Sequence, residues 1–191
     1  MTQPVPQIDI LVLTQRWVRT DQKIAAICRH AGEAALKLGT AHLPKRHHLR
    51  TFKGTHEVSI ALASDSRVRT LNRKYRGQDK PTNVLSFPSL DTASIAPGPL
   101  MLGDVILAYE TTKREAAQDK KTFGAHATHL VVHGVLHLLG YDHIVDRDAK
   151  DMEGLERLIL KDLGIADPYA GTVLAGKTTP SIKQRFRSSK Q

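Results

Sequence analysis

A single cysteine, Cys28, is all the thiol chemistry in this chain of 191 residues. One thiol excludes an intramolecular disulfide, fits a reducing cytoplasm and leaves no disulfide-linked partner to expect. It falls on the apolar side of a predicted helix, the place of a small buried residue rather than of a reactive one. Long apolar runs are missing too: none approaches the roughly 18 residues that span a bilayer, so no membrane association is expected. The opening MTQPVPQIDILVL has neither the basic start nor the long apolar core of a signal peptide. Aromatics are scarce at 5%, yet hydrophobic residues make up 40%. That share excludes a disordered chain and is enough, at this length, for the core of one domain. Acid is missing locally. Residues 16–53 carry nine Lys/Arg against only Asp21 and Glu33, and the tail from Lys177 onward has five more and no acid. Segment 146–167 is net acidic, within an overall charge of +9. A charge polarised in this way draws polyanions, of which phosphate chains are the commonest; simple solubility is the competing explanation.

What is present is a succession of short elements. IDILVL (8–13) reads as a strand. Asp21 opens a helix to about Leu38, with Ile24, Ile27, Cys28, Ala31, Ala35 and Leu38 on one face and Gly39 as its stop. A basic, histidine-bearing connector fills 40–54. HEVSIAL (56–62) alternates like a strand, and Ser64 and Asp65 are placed to cap a helix that reaches Gly77. NVLSF (83–87) and GDVILAY (103–109) read as strands on either side of the proline-bearing SLDTASIAPGPL (89–100), expected to be a mobile loop. Helical sequence starts near Glu110, breaks near Gly124, and continues through AHATHLVVHGVLHLL as the buried central helix. A last helix runs from about Asp146 to Leu163 and stops at Gly164. Past Asp167 the sequence has no periodicity and is expected to be disordered. The elements predict the α+β class: a small mixed β-sheet packed with helices, including a zincin-like metal-binding helix. A single catalytic domain is expected over 1–167, with a basic tail over 168–191.

HGVLHLLGYDH (133–143) carries the chemistry. Residues four apart on a helix lie about 40° apart around the axis and roughly 6 Å along it, so His133 and His137 can reach one ion. A continuing helix would carry His143 roughly 15 Å further. Gly140 supplies the break, since glycine takes the left-handed conformation that ends a helix and lets Tyr141-Asp142-His143 fold back. Three imidazoles with one position open describe a catalytic zinc site, one Zn2+ per chain, rather than a closed structural one. Nickel, copper and cobalt suit the same donors. His129, His133 and His137 cannot form the set instead, because their ends span about 12 Å. His129 reads as a cleft residue, a donor to a ligand or a structural hydrogen-bonding group, and His126 as surface. Peptidases with this spacing keep a glutamate after the first histidine as their base. Gly134 stands there and has no side chain, which disfavours peptide hydrolysis and suggests room for a bulkier substrate beside the metal.

At this point HGVLHLLGYDH resembles the signature of the YbeY-type endoribonucleases, bacterial ribosomal RNA maturation factors. LNRKYRGQDKPTNVLSFP (71–88) resembles that family's other hallmark, and GDVILA (103–108) follows in order. With EAAQ and AHATHLVVHG, the resemblance covers most of 56–168. Residues 1–50 match weakly, and Asn83 stands where many relatives have aspartate. The resemblance implies a metal-dependent endoribonuclease specific for single-stranded RNA. Its partners would be 16S rRNA and the small ribosomal subunit, its roles 3′-end maturation and ribosome quality control. It implies His133, His137 and His143 as metal ligands and Arg76 as the functional arginine.

The residues allow these roles. A guanidinium can grip two phosphate oxygens, which suits Arg76, although a salt bridge with Asp79 would occupy it equally well. Asp142 can orient a ligand histidine, accept a proton or cap the broken helix. Water and a ribose 2′-hydroxyl are both open as the nucleophile. Lys74, Lys80 and the connector 45–53 are candidates for tracking an RNA backbone. Two rivals stand beside this reading: a metallohydrolase of another substrate class, and an assembly factor that uses zinc to hold its fold.

Overall fold

The computed structural model describes residues 5–45, 47–89, 98–143 and 146–169, with backbone alone at 146 and 147. The expected mobile loop falls largely on 90–97 and the expected disordered tail on 170–191, both outside the described residues. The elements follow the chain as β1 (Gln7–Val12), α1 (Arg16–Thr20), α2 (Ile24–His42), α3 (His48–Thr51), β2 (His56–Ala63), α4 (Asp65–Arg76), β3 (Val84–Pro88), β4 (Leu100–Ala108), α5 (Tyr109–Gln118), α6 (Phe123–Leu138) and α7 (Asp146–Asp162). This is the expected mixed sheet packed with helices. No helix among the described residues is long and apolar enough to cross a membrane.

The strands lie in the order β1-β2-β4-β3, with β1, β2 and β4 parallel and β3 antiparallel on the edge. Alternation sorts their side chains. Ile8, Val58, Ile60, Leu62, Val105 and Leu107 face a large core shared with α2, α6 and α7. Ala63, Leu85 and Ala108 face a smaller one closed by Val68 of α4. Helix α6 is therefore sandwiched between the sheet and other helices, and its Val131, Val132, Val135 and Leu136 are sealed from solvent. Cys28 is buried as expected, and burial pushes its thiol up to about 12.

Four departures from the sequence reading have local causes. Helix α2 does not stop at Gly39 but runs to His42. Gly39 is a contact residue instead: a Cβ there would lie 2.5 Å from Leu139 Cδ1, so the glycine lets α2 cross α6 closely. Asp21 does not open α2; its Oδ1 accepts the Lys23 N–H at 2.8 Å in the turn before the helix. The short α1 was not expected, and it exists to seat Trp17, which is wholly buried and donates to the Ala63 carbonyl at 2.9 Å. Strand β4 starts at Leu100 rather than Gly103, because a bulge at Glu57/Val58 carries the pairing past Gly103, whose φ is +136°.

Candidate metal centre at the end of helix α6

Helix α6 ends as the glycine requires. Gly140 has φ +92°, its N–H bonds the His137 carbonyl at 3.1 Å, and the Tyr141 N–H bonds the Leu136 carbonyl at 3.1 Å. These two bonds satisfy carbonyls that the helix end would leave open, and they turn the chain back. The Tyr141 hydroxyl then donates to the Gly39 carbonyl at 2.9 Å, pinning the turn to α2. Asp142 Oδ1 accepts the His143 N–H at 2.8 Å, a bond inside the turn.

The turn brings His133, His137 and His143 together, with one ligand atom of each within 4.8 Å of the others. His133 Nε2 and His137 Nε2 are 3.1 Å apart. The opposite nitrogens are held: His133 Nδ1 lies 2.7 Å from Glu156 Oε1, and His137 Nδ1 lies 3.0 Å from the Tyr141 carbonyl. Bonding at Nδ1 sets the tautomer that leaves Nε2 bare for a cation. His143 Nδ1 is buried without a hydrogen-bond partner. Burial, and next the neighbouring His133 and His143, lower the His137 pKa to about 4, so the ring is neutral at pH 7 and its lone pair free. Three imidazoles gathered in this way, one with an orphaned nitrogen, fit a divalent ion of the zinc type.

The model of the family described as endoribonuclease YbeY matches residues 20–164. The chain belongs to that family. It is 55% identical over 139 residues to the endoribonuclease YbeY of Paramagnetospirillum magneticum, covering 71% of this chain and 80% of that one. To the Nitrobacter hamburgensis protein of the same name it is 46% identical over 169 residues, covering 87% and 83%. A solution structure from Thermotoga maritima superposes with a TM-score of 0.50 at 23% identity, covering 85% of this chain and 98% of that one, and shares the fold.

Several residues of this YbeY-family chain lie where the sequence did not put them. His126, expected at the surface, is 5% exposed, and its Nε2 sits 2.9 Å from Glu115 Oε2 across the α5–α6 junction. Gly134 does not open space at the metal. A Cβ there would meet Val105 Cγ1 at 2.6 Å and Ser86 Oγ at 3.1 Å, so its side of α6 is pressed on the sheet. His129, by contrast, lies outside the clustered trio as its helical spacing requires, with its Nε2 3.5 Å from Glu156 Oε2. Arg76, at the end of α4, makes no salt bridge with Asp79, which is held by Arg69 at 2.8 and 2.9 Å. The Arg76 Nε is buried without a hydrogen-bond partner, and burial lowers the guanidinium's pKa. Nothing described joins Arg76 to the histidines.

Asn83 shows why an amide stands there. Its Oδ1 accepts the Val84 N–H at 2.8 Å while its Nδ2 donates to Glu115 Oε2 at 3.0 Å. An aspartate would set a second carboxylate against Glu115.

Sequence reasoning missed Glu156 and Tyr169. Glu156 is 1% exposed and sits on the buried stripe of α7 with Met152, Leu155, Ile159 and Leu160. Burial pushes its carboxyl up, but hydrogen bonds from His129 and His133 outweigh this and hold it well below the ordinary carboxylate range. The signal was available: an acid in phase with the apolar positions of an amphipathic helix requires a buried partner. Tyr169, grouped with the tail in the sequence, turns back so that its hydroxyl bonds Glu156 Oε2.

Proposed function

We infer that this chain is a zinc-dependent endoribonuclease that cleaves single-stranded RNA in the cytoplasm. Its substrate would be 16S rRNA on the small ribosomal subunit, in 3′-end maturation and ribosome quality control. Membership of the endoribonuclease YbeY family supports the reaction class. The observation that carries the reading is the trio of imidazoles gathered within 4.8 Å by the Gly140 turn. His133, His137 and His143 would hold one Zn2+, which when bound supplies Lewis acidity toward a phosphoryl oxygen. Arg76 would bind phosphate through its free guanidinium donors, preorganised to match a planar pair of oxygens. His129 and Asp142 flank the site, the first held by Glu156 and the second by the turn itself. A peptidase is disfavoured by packing as well as by sequence, because the position of its base faces the sheet at Gly134.

The test uses the purified chain on single-stranded RNA and on casein, with and without chelator, alongside elemental analysis. RNA cleavage that chelator abolishes and zinc restores is expected, with casein intact. Arg76→Ala should fold normally by circular dichroism and lose RNA cleavage by about 100-fold, within the range for removing one preorganised donor. Casein cleavage without RNA cleavage would overturn the reading. Loss of melting temperature in step with activity across such variants would favour the zinc-held assembly factor.

A further inference from the structure

The segment that follows α7 returns to the metal centre. Tyr169 is tied there by several contacts besides its hydroxyl bond to Glu156. Asp167 Oδ1 accepts its N–H at 2.9 Å, the Arg157 guanidinium lies 4.8 Å from its ring centroid, and the ring meets His129 edge-on at 5.9 Å. Arg157 in turn pairs with Asp167 at 3.3 Å. Glu156 thereby has both oxygens engaged: Oε1 by His133 Nδ1 at 2.7 Å, Oε2 by the Tyr169 hydroxyl and, at 3.5 Å, by His129.

A metal-binding imidazole needs one nitrogen bare and its ring rotation fixed, and a partner on the other nitrogen supplies both. Glu156 is that partner for His133. A glutamate, however, has three torsions of its own and fixes a ring only if it is itself fixed. The Tyr169 hydroxyl and the backbone turn behind it do this from outside α6 and α7. We propose that Glu156 and Tyr169 are positioning residues of the metal centre: the carboxylate orients His133 as a ligand, and Tyr169 locks the carboxylate. The inference rests on the three histidines being a metal site. It adds that residues 167–169 belong to that site as much as the histidine motif does.

Zinc and cobalt binding to the full chain measure it, by competition with a chromophoric chelator and by the cobalt ligand-field spectrum. Uptake of neither metal by the wild-type chain would sink the metal-site reading itself. With wild-type binding established, Glu156→Gln should weaken zinc by about 10- to 100-fold, the usual cost of losing such a partner. Tyr169→Phe should weaken it in the same direction by less, and both should alter the cobalt spectrum. The double variant should lose less than the product of the two, because the groups act as one unit. A merely structural role would lower the melting temperature of the metal-free protein and leave zinc affinity and cobalt spectrum unchanged; that result overturns the proposal. Should Glu156→Gln not fold, Tyr169→Phe decides alone, since it removes a single oxygen from a half-exposed side chain.

Discussion

Gly134 shows how one residue can be misread from a motif and still constrain the chemistry. Read along the sequence, it is the place where a base is missing. In three dimensions it is the contact that lets α6 lie on β3 and β4, with the Ser86 hydroxyl donating to its carbonyl at 3.1 Å. A methyl group must displace Val105 Cγ1 from 2.6 Å, and Val105 is fully buried and cannot yield cheaply. Gly134→Ala is therefore expected to cost about 1–3 kcal/mol by overpacking. Gly134→Glu should cost more, since its carboxylate enters a dry interface without a partner. Urea unfolding measures both, and a casein assay on any folded Gly134→Glu protein should show no gained peptidase activity. A neutral alanine variant would mean that the helix does not seat on the sheet as described.

Between elements, the joint of α5, α6 and β3 is held by polar groups: Glu115 Oε2 takes His126 Nε2 at 2.9 Å and Asn83 Nδ2 at 3.0 Å. Burial raises the Glu115 pKa, but the bonds from His126 and Asn83 outweigh it, and the carboxyl lies below its ordinary 4.5. A carboxyl depressed in the folded state stabilises above its unfolded pKa, and this contribution is lost as pH falls through the folded value. Glu115→Gln should thus lose about 1–2 kcal/mol near neutrality, with the gap to wild type narrowing below pH 4.5. Chemical unfolding between pH 7 and pH 3 reads this, and a gap of constant size would refute the assignment. The same joint shows what was legible. Period and punctuation located the four strands among the described residues and the long helices, because burial on one face leaves its mark along a single chain. His126 was not legible, since its partner lies on another helix. Nor was Gly39: a glycine that stops a helix and one that admits a neighbouring helix look alike in one dimension. The clustering of the three histidines was legible because its geometry is local, all of it inside eleven residues. The carboxylate behind it comes from α7, and only packing brings that helix to α6.

For the whole molecule the question is whether the charge of +9 is a surface for RNA or only a solubility device. Some of the basic residues in 16–53, though exposed themselves, already hold partners within the molecule: Arg16 pairs with Glu110, Arg29 bonds the Ile8 carbonyl and Arg50 the Leu43 carbonyl. Arg19, Lys23, Lys37, Lys45 and Lys53 are exposed as well, as are Arg73, Lys74 and Lys80 around the end of α4 that carries Arg76. Cations that only confer solubility need not meet a ligand, whereas cations that contact phosphates release counterions on binding. Each contact to a single strand should then contribute a slope of about −0.7 to log affinity against log salt. If four of these residues engage the backbone, the total is roughly −3. Fluorescence anisotropy with a labelled single-stranded RNA, on metal-free protein to prevent cleavage, measures the slope without catalysis. Substituting the exposed lysines by glutamine should flatten it stepwise, whereas Arg76→Ala should remove one step and leave the others. An affinity indifferent to salt would separate the charge from the site and leave the histidine centre to act on a substrate that these cations do not hold.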